Sequence, residues 1–390
     1  MSDTLYRIVM TAPPRSDKSE GYSFPADTAL PGWLASLPSA WQPYAMLARL
    51  DRPAGIWLLF IPCVIGLVFQ RLSGGLFLAD LGWVALFFIG AVAMRGAGCT
   101  WNDITDRDFD AKVARTAQRP IPSGAVSVRD AYMFVLAQLG AAFVVWLLLP
   151  GDAKLTALLA LPLVAIYPFT KRMTWWPQAW LGLTFNWGVL VGAATASLIT
   201  GPVYLLYFGL ALWTVAYDTI YALQDREDDA LIGVRSTARL FGKRAALIAF
   251  CFHLGAAALI ALAAWFNDAG RIGALAALGF LAHGAWQTMR LKASGETAAL
   301  AVFKSNIWAG AIVAAGFLIA ALIPERAPKT IFAQPELVPP VRSQSVDLPF
   351  GLELRRKPAP EPDVWLVRDI RRAMEIRGLD PDAAETTPER

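Results

Sequence analysis

Asn102, Asp106 and Asp110 follow one another at four-residue intervals, directly after a long apolar run. On a helix these positions share one face. Asp103 and Asp108 lie between them, and Arg115 and Arg119 follow. Carboxylates crowded in this way repel one another unless a cation sits among them. Oxygen-only donors suit a hard ion such as Mg²⁺, which is usually held by one or two carboxylates together with substrate phosphates. The arginines supply planar donors for those phosphates.

The second half of the chain repeats the pattern. Asp218 closes an apolar run, Asp225 and Asp229 are again four residues apart, and Arg235 follows. A solvated loop whose acids pair with nearby arginines is the plain alternative for either stretch alone. The same spacing, the same preceding apolar run and the same following arginines argue instead for a duplicated unit. Its two acidic pairs are expected to face one shared site.

Those pairs need a scaffold, and the composition says which kind. Of 390 residues 56% are hydrophobic and 17% charged, and the mean hydropathy is +0.45. This is a polytopic membrane protein by composition. The net charge of +4 reads as loop bias toward one membrane face, with no nucleic-acid footprint. Cys63, Cys99 and Cys251 lie in apolar runs, without disulfide or metal-ligand spacing. His253 and His283 read as helix-packing residues.

Apolar segments fall at about 53–72, 81–100, 130–149, 154–169, 179–198, 203–222, 244–265, 271–289 and 301–323. The fold class expected is therefore all-α and polytopic, with about nine transmembrane helices and two halves that each bear an acidic motif. The segment at 154–169 is the shortest. Links after the even-numbered spans are basic, and those after the odd-numbered spans are short and nearly uncharged. The positive-inside rule puts the basic links, both acidic motifs and the N-terminus in the cytoplasm, and the C-terminus opposite. Residues 1–49 read as a flexible cytoplasmic leader with a short surface helix near 41–50. Residues 50–324 read as the membrane domain. Residues 325–390 read as a polar, largely disordered tail with one short helix at 363–377.

The motif from Asn102 to Pro120 resembles the first signature of the UbiA superfamily of intramembrane prenyltransferases. The stretch from Tyr217 to Ala238 is similar to that family's second acidic motif. Arg49-Leu50-Asp51-Arg52-Pro53, Tyr167-Pro168-Phe169-x-Lys171-Arg172 and Pro177-Gln178 resemble the branch that acts on 4-hydroxybenzoate. The likeness runs from about Arg49 to Pro324.

The resemblance implies helices around a central cavity, Mg²⁺, and a polyprenyl diphosphate whose tail lies toward membrane lipid. It implies transfer of the prenyl group to the ring carbon ortho to the hydroxyl of 4-hydroxybenzoate, in ubiquinone biosynthesis. Carried onto this chain, Asp106, Asp110, Asp225 and Asp229 would hold the metal and carry catalysis, assisted by Asn102 and Asp218. Arg115, Arg119 and Lys171 would bind diphosphate. Tyr167, Tyr217 and Tyr221 would face the allylic cation. Arg172 or Arg52 would hold the benzoate carboxylate. Lys171 and Arg172 are adjacent, so their side chains are expected to diverge toward different ligands. The implied setting is a bacterial inner membrane, with the site facing the cytoplasm. Two other readings compete: a sister enzyme using haem, homogentisate or a naphthoate, and an ion-coupled transporter. A transporter's acids would sit near the bilayer midplane. These sit at span ends beside arginines.

Overall fold

The computed structural model describes residues 32–72, 74–111, 116–231 and 233–323, with the Asp228 side chain left out. Arg115, the first part of the leader and the whole tail, including its expected helix, lie outside the described residues. Within them the chain runs α1 Gly32–Ala35, α2 Gln42–Leu47, α3 Ala54–Gln70, α4 Ala79–Asp110, α5 Val128–Leu148, α6 Gly151–Leu159 and α7 Leu161–Met173. It continues through α8 Pro177–Ala196, α9 Gly201–Tyr221, α10 Arg226–Leu231, α11 Thr237–Phe241, α12 Ala245–Phe266, α13 Gly270–Ser294 and α14 Ala299–Leu322.

Among the described residues, seven stretches are long and apolar enough to cross a membrane. One of them, Gly270–Leu322, holds both α13 and α14, and Ala54–Gln70 is a shorter apolar helix. The architecture is therefore compatible with nine crossings. Residues 32–49, expected within the leader, pack against the membrane domain. Leu34, Ala45 and Met46 cluster together, and Leu47 joins Ile104 of α4.

Helices α3, α8, α9, α12, α13 and α14 pack in a closed ring. Trp213, Phe280 and Phe317 fill it, and the Trp213 indole donates to Asn306 Oδ1 at 2.8 Å. Gly66 and Gly192 let α3 and α8 meet backbone to backbone, since a Cβ at either would overlap a carbonyl of the other helix. Helices α4 and α5 form a hairpin outside this ring, and α6 and α7 return against α8.

The fourth span is broken. Pro162 and Pro168 lack the N–H that a helix ladder needs, and the chain steps at Ala160 between α6 and α7. The Ala160 N–H bonds Ala157 O, so the ladder does not serve Thr156 O. A free carbonyl is costly inside a bilayer. Tryptophans supply donors along this span: Trp187 to Thr156 O (2.8 Å), Trp146 to Lys154 O (3.0 Å), Trp180 to Leu163 O (2.8 Å) and Trp101 to Ala165 O (3.2 Å).

Candidate active site

Helix α4 has 32 residues, about 48 Å at 1.5 Å per residue. That exceeds a hydrocarbon core of about 30 Å, so its C-terminal turns project past the apolar layer as continuous helix. Arg95, Cys99, Asn102, Asp106 and Asp110 fall along one face of it. Acids in the last turns of a helix oppose its dipole, and the structure compensates them with cations from other segments.

Asp103 is fully buried and accepts two bonds from Arg49, at 2.7 and 2.9 Å, with Arg119 at 3.4 Å. Arg119 also donates to Asp110 at 2.7 Å, and the Thr116 hydroxyl donates to the Asp110 carbonyl at 2.8 Å. Arg49 has φ 55°, a backbone state that non-glycine residues adopt at a cost. It is held there by its bonds to Asp103 and to Met46 O. Burial works against the Arg49 charge, but Asp103 and Asp51 beside it outweigh burial and raise its pKa above the ordinary arginine value.

Asp106 is buried and grips both Lys171 and Arg172, the latter at 3.1 Å. The expected divergence of these neighbours is not what the structure shows. Both long side chains bend back from the end of α7 to one carboxylate, because a buried Asp106 needs more than one counter-charge. Arg172 also donates to Thr105 O and lies over the Phe109 ring. Arg52 donates to the adjacent Asp51 at 2.9 Å. The two arginines expected to hold a benzoate thus have acid partners of their own.

The second motif is built differently. A 3₁₀ turn, Ala222–Asp225, ends α9, and Asp229 lies in α10, so the pair does not ride on a continuous helix. Asp225 and Asp229 are half-buried. The segment that follows is tied down: Thr237 N donates to Gln178 Oε1 at 3.0 Å, and the Thr237 and Thr219 hydroxyls bond at 2.6 Å. Gly233, at φ 75°, makes the turn between them.

A cavity of about 830 Å³ runs from this polar end into apolar walls. Arg49, Asn102, Asp103, Arg119, Tyr167 and Tyr221 line its polar part, and α3, α4, α5, α6, α7 and α8 wall the rest. It lies on the side of the first five spans, and Tyr221 represents the second half in its lining. Tyr217 packs in the ring core between Trp213 and Phe303, with its hydroxyl accepting from Thr214, and does not line the cavity. Asp218, on α9, is half-buried and is not among the residues that line the cavity.

Arg95 was missed from the sequence. It lines the cavity from mid-span, its Nε is buried without a hydrogen-bond partner among the described residues, and its guanidinium faces the Phe185 ring at 5.3 Å. Gly55 makes room, since a Cβ there would strike the guanidinium. The available signal was a lone arginine inside an apolar run, which marks function by default.

No three acidic, imidazole or thiolate side chains among the described residues converge enough to cage a metal by themselves. That donor set still fits Mg²⁺, which takes its remaining ligands from phosphate oxygens and water. Asn102, Asp106 and Asp110 offer it oxygen from one helix face.

Two acidic motifs at span ends, arginines beside them and an apolar cavity behind define a helical membrane protein with a polar site at one end of an apolar interior. The chain belongs to the UbiA prenyltransferase family, whose model matches residues 59–310. It is 50% identical over 210 residues to the mitochondrial 4-hydroxybenzoate polyprenyltransferase of Rattus norvegicus, covering 53% of this chain and 55% of that one. The match thus spans about half the length of that relative. It is 39% identical over 280 residues to the 4-hydroxybenzoate octaprenyltransferase of Shewanella oneidensis, covering 71% of this chain and 96% of that one. Among solved structures, a UbiA homologue from Aeropyrum pernix superposes with a TM-score of 0.58 at 28% identity, covering 67% of this chain and 97% of that chain. A UbiA homologue from Archaeoglobus fulgidus, solved with GPP and Mg²⁺, shares the fold with a TM-score of 0.51 at 17% identity, covering 70% and 99%. The chain is an integral membrane protein.

Proposed function

We propose that this chain transfers a polyprenyl group from its diphosphate to the carbon ortho to the hydroxyl of 4-hydroxybenzoate, with Mg²⁺, in ubiquinone biosynthesis. The observation that carries the reading is Arg95, a half-buried arginine whose Nε–H is buried without a hydrogen-bond partner among the described residues, lining an apolar cavity beside the acidic motif. A ligand with an anionic end and an aromatic body satisfies both Arg95 and the Phe185 face. The named substrates of the curated relatives agree with that chemistry.

Arg49, Arg119 and Lys171 orient the diphosphate at the polar end, with Arg115 contributing from outside the described residues. Asp106, Asp110, Asp225 and Asp229 are the metal-holding carboxylates, with Asn102 and Asp218 in support. Mg²⁺, when bound, adds positive charge where the leaving group develops its negative charge. The bond between the allylic carbon and the diphosphate oxygen breaks, and the electron pair leaves with the diphosphate. Tyr167 and Tyr221 present ring faces to the allylic cation, and apolar walls keep water from it. The electron-rich ring carbon forms the new bond and then loses its proton. Arg95 takes over the carboxylate-holding role that the sequence suggested for Arg172 or Arg52. The prenyl tail follows the apolar part of the cavity toward lipid.

The test is turnover of purified protein with Mg²⁺, a labelled polyprenyl diphosphate and a panel of acceptors. C-prenylated 4-hydroxybenzoate is expected, and prenylation of homogentisate or a naphthoate alone overturns the acceptor assignment. Arg95→Ala is expected to raise KM for 4-hydroxybenzoate while leaving that for the diphosphate within about twofold. A charge-assisted bond of about 1.5–3 kcal/mol corresponds to roughly ten- to a hundredfold. The basic links and the bacterial relative support placing the site at the cytoplasmic face of an inner membrane. Cysteine labelling at positions 107 and 235 from either side of sealed vesicles tests that orientation.

A further inference from the structure

The loop that carries the second acidic pair is fastened to the helix that grips the first. The last carbonyls of α7 have no partner within their own helix. Arg235 caps them from outside: its backbone N–H donates to Lys171 O at 3.1 Å and its guanidinium to Met173 O at 3.1 Å. Lys171 and Arg172, on the same turn, hold Asp106. Arg239 then braces the loop from within. Its guanidinium donates to Asp229 O at 3.2 Å and also to Val234 O, across a turn closed by the Val234 N–H to Asp229 O at 3.0 Å. The guanidinia of Arg235 and Arg239 both lie over the Trp175 ring, at 5.8 and 5.3 Å, in the link just beyond α7.

We propose that Arg239 is a positioning residue, which with Trp175 and Arg235 fixes the distance between the two carboxylate pairs. It acts through the backbone of Asp229 and touches neither substrate. The inference rests on the reading that Asp225 and Asp229 share a metal–diphosphate site with Asp106 and Asp110. Arg239 Nη1 reaches two carbonyls while its guanidinium lies over the Trp175 ring that Arg235 also faces, and a planar cation can bond and face a ring together in a way that an ammonium does less well. If the loop drifts, the second pair no longer meets the first at the spacing that a bound diphosphate requires.

The test uses the full chain in detergent or nanodiscs, with Arg239→Ala, Arg239→Lys and Trp175→Leu. The Mg²⁺ concentration for half-maximal turnover is measured at saturating 4-hydroxybenzoate, and hydrogen exchange is measured without metal. Arg239→Ala is expected to raise that Mg²⁺ concentration about tenfold, the low end for losing a group that orients a metal ligand. KM for 4-hydroxybenzoate should stay within about twofold. Amide exchange should quicken over 226–241 and stay unchanged in α3, α8 and α9. Trp175→Leu should move both readouts in the same direction, and Arg239→Lys should recover part of the loss. An unchanged Mg²⁺ curve overturns the proposal, whether or not exchange quickens. So does faster exchange throughout the protein, which would make Arg239 a general stabiliser. Asp225→Asn, measured in parallel, separates the two ideas. Wild-type Mg²⁺ response in that variant removes the underlying metal reading, whereas its loss beside a normal Arg239→Ala removes the positioning role alone.

Discussion

The two acidic motifs share a spacing and little else. The first is the end of a rigid membrane helix. Asp103, Asp106 and Asp110 are buried there, and each carboxylate meets a cation from another segment. The second follows a 3₁₀ turn, its acids are half-buried, and bonds to backbone carbonyls and the Thr237 dock help to hold its loop. One motif is buried at the end of a continuous helix, and the other is half-buried beyond a 3₁₀ turn. Identical spacing in a sequence therefore does not imply identical local structure. It does imply that removing a carboxylate has different consequences at the two sites.

The largest effect is expected at the first. Asp106→Asn removes a carboxylate that two cations share, so turnover should fall by about 10²–10³ or more and the fold should suffer as well. The stability loss should be about 2 kcal/mol, since Lys171 and Arg172 keep partial access to water. Thermal melting in detergent beside a turnover assay reads both. Asp225 is half-buried, so Asp225→Asn should lose turnover to a similar degree with a smaller loss in melting than Asp106→Asn. Equal melting losses in the two variants would erase the distinction between a buried and a half-buried motif.

A smaller effect sharpens the comparison from the far side of the membrane. Asp80 is buried, pairs with Arg71 at 2.9 Å and accepts the Phe77 N–H at 2.9 Å. Sequence position alone predicts little consequence for Asp80→Asn. The geometry predicts a stability loss of about 1–2 kcal/mol, with turnover per folded molecule unchanged. A drop in specific activity larger than about twofold would show that this end communicates with the site.

Helix periodicity made the α4 face legible, because a four-residue spacing after an apolar run has one simple helical reading. It also made the nine apolar segments legible, including the short fourth. What it did not show is which donors bond the carbonyls of that broken span. The indole donors come from α4, α5 and α8 and from no fixed sequence distance. Arg95 stands out in the sequence only as a charge within the 81–100 run, and its place in the cavity beside Phe185 depends on how the helices pack. The convergence of Lys171 and Arg172 was not legible, since adjacency suggests divergence until the burial of Asp106 is known.

Sequence alone determined the membrane class, the helical periods and the paired oxygen donors, because hydropathy and spacing along one helix are local properties. Only the tertiary structure decided that the cavity lies on the side of the first five spans, that Tyr217 belongs to the core while Tyr167 and Tyr221 face the cavity, and that the Arg95 Nε is buried there without a hydrogen-bond partner among the described residues. Those facts depend on which helices meet and how closely. Residues such as Gly55, Gly66 and Gly192 permit those approaches without announcing their partners.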